Sequence, residues 1–395
     1  MTGPLFHPAS APPIPGRPEF QLLLDSATPP GDGSPVWTGP ADGLDWTRLL
    51  DRAVEQGMVP LVRRHLAAGG WTGVPDEVRV WLDERHEENR RRNRLLTIEL
   101  LALLDRLAAA GIEALPFKGP IVAETCYGDL DARLFGDIDL LVDSGDVRAA
   151  MRVMTAAGYD PLIPLSETQQ AAFLRHRTEY PLQRPSRGGI VDLHWELFHR
   201  QFCFHLTPDR DRLREVRLAG QPVLTLGSED QLLMLCAHAT KHLWVRLEWI
   251  AAVAWLVARA PDVDWMHVRA RARALGGQRM ASLGLGLAAE LLGARPGPAF
   301  GGADPGTAAL RAEVVGRLRD GSPPPEDWWR FYLRARERRR DRVEFLARTA
   351  VTPTIGDWRM VDLPPALAGL HYALRPFRLL GRGLRALGPE GRRDG

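Results

Sequence analysis

The strongest constraint on the fold is a short apolar segment interrupted by two aspartates: residues 136–142 run Gly-Asp-Ile-Asp-Leu-Leu-Val. Side chains alternate between the two faces of a β-strand, so Asp137 and Asp139 share one face while Ile138 and Leu140 point into a core. The segment therefore predicts a strand with an apolar back and a front that carries two carboxylates.

A second segment has the same character. Residues 190–194 run Ile-Val-Asp-Leu-His, which places Asp192 and His194 on one face of a strand and two apolar residues on the other. Two neighbouring strands of this kind can present Asp137, Asp139 and Asp192 together. Three carboxylates at close range repel each other and are costly to bury without a partner.

A divalent metal ion would offset that cost. Mg²⁺ accepts one or two carboxylates together with substrate phosphates, and Mn²⁺ is the alternative ion. Two such ions roughly 3.5–4 Å apart can stabilise the attacking and leaving oxygens of a displacement at phosphorus. An Asp-x-Asp pair alone also suits a turn or a solvated strand end. The third carboxylate, the downstream His194 and an upstream Lys118-Gly119 pair favour the metal site.

The lysine of that upstream pair is unusual in this chain, which contains two lysines and 49 arginines. An ammonium is a compact point charge on a flexible stem, whereas a guanidinium is a planar fork, so lysine persists where the compact charge is needed. Lys118 belongs to the upstream pair, and Lys241 lies near the end of a second motif segment, a predicted helix that begins at Ser228. Chance placement is the competing explanation. We expect Lys118 and Gly119 to form a phosphate-binding turn.

The combined pattern resembles the uncharacterised nucleotidyltransferase family of the DNA polymerase beta-like superfamily. The resemblance runs from about residue 22 to about residue 292, and its core comprises Leu115-Pro116-Phe117-Lys118-Gly119, Tyr127, Arg133, residues 137–142, Gly158-Tyr159 and Val191-Asp192-Leu193-His194-Trp195. It implies a small mixed β-sheet with helices on one side. It also implies transfer of a nucleoside monophosphate from an NTP, with ATP favoured, to an unidentified acceptor with release of pyrophosphate.

The resemblance also implies residue roles. Asp137 and Asp139 would be metal ligands, Asp192 the third carboxylate, and Lys118 with Gly119 the phosphate-facing turn. The superfamily usually has a Gly-Gly or Gly-Ser turn closer to the Asp pair. Here the turn is Lys-Gly and lies further upstream.

Two residues between that turn and the Asp pair, Tyr127 and Arg133, could reach the nucleotide. Arg133 could equally pair with Asp137. His194 suits contact with a phosphate or a metal-bound water, or a structural hydrogen bond.

The chain organisation indicates an α+β fold. We expect a Pro/Gly-rich arm over residues 1–43 with a short apolar turn at 20–24, a helical region over 44–110, the nucleotidyltransferase core over 111–227, a helical domain over 228–320 and an Arg-rich helical tail over 321–395. Within these, residues 144–157 should form a helix capped by Ser144. Helices over 228–242, capped by Ser228, and 243–260 should follow one another directly.

The helix expected from Ser228 carries His238, Lys241 and His242 near its end, with the two histidines on one face. These side chains suit contact with the nucleotide or acceptor, or a packed polar seam between domains; zinc is disfavoured because no third ligand is evident. The sequence does not decide between the first two interpretations.

Composition excludes few functions. The net charge of +2 gives no general argument for a nucleic-acid partner, which is disfavoured without being excluded. The three cysteines lack paired spacing, which suits a reducing cytoplasm. The longest apolar run, residues 250–258, is too short to span a bilayer. The basic aromatic segment from Trp328 to Arg342 could bind nucleic acid or lie on a membrane surface, but such a pattern is more typical of a helix with one packed aromatic edge and a solvated basic face.

Two functions of different classes therefore remain. A metal-dependent nucleotidyltransferase is favoured by the three aspartates, Asp137, Asp139 and Asp192. A catalytically degenerate protein that senses a nucleotide or serves as a scaffold is favoured by the altered glycine turn.

Overall fold

The computed structural model describes residues 18–31, 33–164, 177–185, 189–297, 304–323 and 327–352, with isolated positions at 170, 173, 174, 300, 370, 372, 375 and 376. In this part of the chain there are thirteen α-helices: α1 Pro18–Ala27, α2 Trp46–Glu55, α3 Val59–Ala68, α4 Asp76–Ala109, α5 Pro120–Val122, α6 Val147–Ala156, α7 Ser228–Lys241, α8 Leu247–Arg259, α9 Trp265–Leu275, α10 Gln278–Leu292, α11 Pro305–Asp320, α12 Trp328–Ala335 and α13 Arg339–Val351. None of the helices described is long and apolar enough to cross a bilayer.

The strands form one five-stranded sheet and one hairpin. The sheet comprises β1 Ala114–Pro116, β2 Asp137–Val142, β3 Asp160–Pro161, β4 Glu179–Gln183 and β5 Ile190–His194, in the spatial order β1-β2-β5-β4-β3. Only the central β2–β5 pairing is parallel; the other three are antiparallel. The predicted α+β class with a small mixed sheet between helical regions is confirmed.

The register of the β2–β5 pairing determines which of the functional side chains lie next to each other. In the β2–β5 register Asp139 lies opposite Asp192, and Asp137 lies opposite Ile190. The intervening residues of both strands are buried, as alternation requires. Their side chains pack against α4 and α6 in a core that also contains Leu100, Leu107 and Met154. The back of the sheet is thus apolar, and the carboxylates occupy its front.

The 34-residue helix α4 lies in the region over 44–110 that was predicted to be helical, and it ends before Gly111, whose φ of 74° favours glycine. Helix α6 starts later than expected. The prediction that Ser144 caps it is wrong, because the turn before the helix is instead closed by the Asp143 carboxylate, which accepts the Gly145 N–H at 2.9 Å.

Helices α7, α8 and α10 pack together on the other side and form the larger core. Two details differ from expectation. Gly227 occupies the N-cap of α7, and Ser228 does not cap the helix but accepts a hydrogen bond from Arg214 at 2.8 Å. The helix also does not run on into α8. Leu243 and Trp244 have positive φ values of 59° and 54°, and the chain turns there with the Trp244 ring fully buried.

Two elements are absent from the sequence predictions. The apolar turn expected at residues 20–24 is a helix, α1, whose Leu23 is 0% exposed and packs in the larger core. A hairpin of β6 Arg214–Leu218 and β7 Gln221–Thr225 precedes α7. Its two-residue turn has positive φ at both Ala219 (48°) and Gly220 (85°), as a type I′ hairpin turn requires.

Candidate functional site

The front of the sheet carries a compact set of polar side chains at its centre. Asp139 from β2 and Asp192 and His194 from β5 each offer one ligand atom, and these atoms all lie within 4.8 Å of one another. Asp137, two residues earlier on β2, is on the same face at the start of the strand and lies outside this set. The parallel register and the strand period together produce the arrangement, since they bring residues 139, 192 and 194 to one patch.

Lys118 enters this patch from the turn after β1. Its Nζ lies 2.6 Å from Asp139 Oδ1, and the two side chains are 23% and 2% exposed. The turn depends on Gly119, whose φ of 50° and ψ of −119° suit glycine. A Cβ there would also lie 3.1 Å from the Asp137 carbonyl oxygen. Glycine at this position therefore lets the turn approach β2 closely enough for the lysine to reach Asp139.

His194 connects this pair to a fourth acid. Its Nε2 lies 3.0 Å from Asp139 Oδ1, and its Nδ1 lies 3.5 Å from Glu179 Oε2. Glu179, opposite His194 on β4, also lies 3.2 Å from His199 Nε2 through its other oxygen. Glu179 and His199 were not identified from the sequence. Neither belongs to a local motif, and only the antiparallel β4–β5 pairing brings Glu179 to the site.

The charges at the centre are strongly coupled. Burial tends to raise the pKa of Asp139, but Lys118 and the hydrogen bond with His194 outweigh it and hold this pKa well below its usual range. Burial also works against the charge on Lys118, yet the neighbouring Asp139 carboxylate raises the pKa of the ammonium. Both groups are therefore charged at neutral pH and form a largely buried ion pair.

The outer carboxylates behave differently. Burial raises the pKa of Asp192 to about 6, and the negative charge of Asp139 contributes in the same direction. Burial and Asp139 also raise the pKa of Asp137. Burial opposes ionisation of Glu179 as well, but its hydrogen bond with His199 and the nearby His194 bring its pKa to about 2. The front of the sheet thus holds more negative charge than Lys118 alone neutralises.

These side chains fit a divalent cation. Two carboxylates and one imidazole converge on a small volume, and the Lys118 ammonium already lies against one of the carboxylate oxygens, as a cation would. Carboxylate oxygens are the donors that Mg²⁺ and Mn²⁺ prefer, and an imidazole is tolerated better by the transition metal. His194 Nδ1 is buried and has no hydrogen-bond partner, since Glu179 lies 3.5 Å away, so the 3.0 Å contact of Nε2 with Asp139 is the one that orients the ring.

The second lysine is also directed to this region. Lys241 ends α7, and burial together with the charge of Lys118 lowers its pKa, against the opposing effect of Glu179. His242 follows it, and burial with the charges of Lys241 and Lys118 lowers the pKa of this histidine to about 4. Lys241 and His242 are therefore within electrostatic reach of Lys118, and Lys241 is also within reach of Glu179, Asp139 and Asp192.

The two residues between the turn and the Asp pair have different surroundings. Burial raises the pKa of both Asp137 and Glu248, and the positive charge of Arg133 partly offsets that rise in each, so its guanidinium is within electrostatic reach of the start of β2. Tyr127 is buried, with its ring centroid 5.0 Å from that of Trp255. The expectation that Tyr127 reaches the nucleotide is therefore wrong, because its side chain belongs to the core.

The loop that carries Arg133 is anchored by two asparagines of α4. Asn93 Nδ2 donates to the carbonyl oxygens of Leu130 and Arg133 at 2.7 and 2.9 Å. Asn89 Nδ2 donates to those of Asp131 and Arg133 at 3.2 Å each. The helix behind the sheet thus fixes the segment that leads into β2.

Residues 42–293 match the profile of a family described as uncharacterised nucleotidyltransferases. The chain belongs to this family. The match covers more than half of the sequence and includes the whole sheet and all of the site residues described above, from Lys118 to His242. It confirms the family resemblance inferred from the sequence motifs. No protein with a curated description matches the chain.

Two solved structures are similar to this member of the family at low identity. The solution structure of the antibiotic-resistance factor ANT(2'')-Ia is 12% identical, with a TM-score of 0.32, over 46% of this chain and 91% of that one. The crystal structure of an antigenic nucleotidyltransferase-like protein from Paracoccidioides brasiliensis is 15% identical, with a TM-score of 0.30, over 51% and 93% of the two chains. At these values no residue role follows from either comparison.

Proposed function

We propose that the protein is a metal-dependent nucleotidyltransferase that moves a nucleoside monophosphate from an NTP, with ATP favoured, to an acceptor not yet identified. One observation carries the proposal: Asp139, Asp192 and His194 converge to within 4.8 Å beside the Lys118 ammonium. This arrangement suits a reaction in which negative charge accumulates on phosphate oxygens, and it occurs in a chain of a nucleotidyltransferase family.

Three carboxylates would hold the metal. Asp137, Asp139 and Asp192 are the proposed ligands: Asp139 and Asp192 belong to the converging set, Asp137 would complete it from the same face of β2, and His194 orients Asp139 through its 3.0 Å contact. When bound, Mg²⁺ or Mn²⁺ would neutralise phosphate charge. Asp192 is only partly buried, so its free oxygen is also placed to accept the proton of an incoming acceptor hydroxyl.

The basic residues around this centre would bind the nucleotide. Lys118 and Lys241 are the two ammonium groups near the carboxylates, and they suit the triphosphate. The Gly119 backbone, which has no side chain to obstruct it, allows the phosphates to approach the turn. Arg133 and His242 would contact the nucleotide from opposite sides, one from the loop before β2 and one from the end of α7. The acceptor would enter between the sheet and the helical regions.

One observation favours a second function, a nucleotide sensor or scaffold without turnover. The Lys118 ammonium already neutralises Asp139 at 2.6 Å, so the most buried carboxylate is stable without a metal ion. In that case the same basic residues would bind a nucleotide, but no group would be transferred.

Label transfer distinguishes the two functions. Wild-type protein is incubated with each α-³²P-labelled NTP and Mg²⁺ or Mn²⁺ in the presence of a lysate or metabolite pool. Asp139→Asn and Asp192→Asn variants are compared with Asp160→Asn, which alters an exposed carboxylate of the edge strand β3. Metal-dependent transfer that survives only in the wild type and the Asp160 variant supports the enzyme. Nucleotide binding without transfer in any of the proteins supports the sensor or scaffold instead.

A further inference from the structure

Three aromatic rings pack around one another where α7 is followed by α8. They belong to His238, His242 and Trp249, and we call them the ring cluster. The centroid of the His238 ring lies 4.7 Å from that of His242 and 5.8 Å from that of Trp249, and the His242 and Trp249 centroids are 5.4 Å apart. His242 is exposed, and the other two rings are only partly covered, so the cluster offers aromatic surface to a ligand.

The corner that carries the ring cluster is fixed from two sides. Trp244, fully buried, donates its indole N–H to Thr240 Oγ1 at 3.1 Å and holds the chain reversal after α7. The start of α8 is joined to the end of α2, since Gln56 accepts the Leu247 N–H at 2.9 Å through Oε1 and the Glu248 N–H at 3.2 Å through its carbonyl oxygen. A surface held in this way loses little freedom when a ligand binds.

The ring cluster lies beside the charged centre. His238 interacts electrostatically with Lys118 and Asp139, and His242 interacts with both lysines. Partial desolvation by the surrounding protein and the charges of the nearby lysines hold the pKa of both histidines below the usual value, so their rings are uncharged at neutral pH. Neither imidazole makes a side-chain hydrogen bond within the described part of the chain. A polar seam with a purely structural role would be held together by such bonds, so the contacts do not support that alternative.

We propose that the ring cluster is the binding site for the base of the nucleotide, with Trp249 as its main stacking surface. A nucleoside triphosphate has a highly charged end and a flat, uncharged end, and the two lysines and the ring cluster offer the matching surfaces side by side. The inference rests on the proposed function, because it requires the phosphates to lie at Lys118 and Lys241. Every base has a stacking face, and the larger purines gain more from it.

Binding of ATP and of inorganic tripolyphosphate, measured by calorimetry with Mg²⁺ present, tests the proposal in the full chain. Tripolyphosphate reports on the phosphate site alone. We expect Trp249→Leu to weaken ATP binding about 5- to 100-fold and to change tripolyphosphate binding less than about twofold. Trp249→Phe, which keeps an aromatic face, should recover most of the loss. His242→Ala, at an exposed position, should weaken ATP selectively and provides a test if Trp249→Leu fails to fold.

Three outcomes would overturn the ring-cluster proposal and leave the proposed function standing. An equal loss of ATP and tripolyphosphate would show that the ring cluster only supports the fold. Unchanged ATP binding in both Trp249→Leu and His242→Ala would show that the base lies elsewhere. If wild-type protein bound tripolyphosphate as tightly as ATP, the phosphate site would be supported, but the base would add nothing to the affinity. If wild-type protein binds neither probe, the proposed function fails together with the ring-cluster proposal.

Discussion

Replacing Lys118 with methionine should make the protein less stable and at the same time more responsive to divalent cations. The substitution keeps an unbranched side chain of similar length but removes the ammonium 2.6 Å from Asp139 Oδ1. Asp139, 2% exposed, would keep only the His194 ring at 3.0 Å as a close partner. A buried carboxylate would therefore lose most of its compensating charge.

The size of the effect follows from this environment. Removing one partner of a buried ion pair costs about 3–5 kcal/mol. Lys118 is 23% exposed and His194 stays in place, so we expect a cost below that range, about 2–3 kcal/mol of unfolding free energy. A cation bound at Asp139 and Asp192 would replace the lost charge. At a hundredfold excess over its dissociation constant, a ligand that binds only the folded state adds about 2.7 kcal/mol.

The assay is thermal unfolding followed by circular dichroism, with EDTA and with Mg²⁺ or Mn²⁺. Lys241→Met is the matched control, since it makes the same change at the only other lysine. Burial and Lys118 lower the pKa of Lys241, so the folded state disfavours the charge on this side chain. Its removal should cost little in EDTA. The metal-dependent rise in the unfolding midpoint should be larger for Lys118→Met than for the wild type or Lys241→Met.

A Lys118→Met variant as stable as the wild type in EDTA would contradict this prediction, because the ion pair would then contribute nothing to the folded state. The prediction also fails if the two lysine variants lose equal stability. A metal response no larger in Lys118→Met than in the wild type would show that the ammonium and the cation do not compete for Asp139.

Three further predictions concern the elements around the site. Asn93→Ala removes the hydrogen bonds to two loop carbonyls, including that of Arg133, and should lower the unfolding free energy by about 1–3 kcal/mol in urea titrations. Burial and a neighbouring arginine lower the pKa of His65 to about 4, below the value near 6.5 expected when unfolded. The folded state therefore binds fewer protons than the unfolded state. The unfolding free energy should fall by about 1–2 kcal/mol as the pH drops from 6.5 to 4, allowing for partial exposure of the ring. In urea titrations at each pH, His65→Gln should remove that part of the pH dependence. Leu23→Ala in α1 should cost about 2–5 kcal/mol, whereas Val54→Ala, at a position 49% exposed, should change stability by less than about 0.5 kcal/mol in the same measurement.

Sequence reasoning identified the central elements because each of them has a local cause. Alternation of apolar and acidic residues predicts β2 and β5, and helical spacing of apolar residues predicts α4. The family resemblance then linked these elements. The side chains of Asp139, Asp192 and His194 meet because alternation and a parallel register act together. The alternation is visible in the sequence. The register is not, and the sequence supported only the expectation that the two strands are neighbours.

The missed features arise from contacts between distant parts of the chain. Glu179 reaches His194 only through strand pairing, and no motif marks either Glu179 or His199. The continuous helix predicted through residues 243–260 is broken because burial of Trp244 outweighs helical propensity. The β6–β7 hairpin had a local signal, two alternating segments separated by Ala219-Gly220. That turn lacks the Asn-Gly or Asp-Gly pair that usually makes such a signal obvious.

The position of α1 has a consequence for how the protein is made. Its apolar side chains are covered by the same core as α8 and α10, and its last residue, Ala27, accepts a hydrogen bond from the Trp255 indole at 2.8 Å, across a sequence separation of 228 residues. Translation proceeds at about 5–20 residues per second, so the partner segment leaves the ribosome on the order of 10–50 seconds after α1. During that interval the leucines of α1 lack the side chains that cover them in the folded protein, and the larger core can close only when most of the chain has emerged.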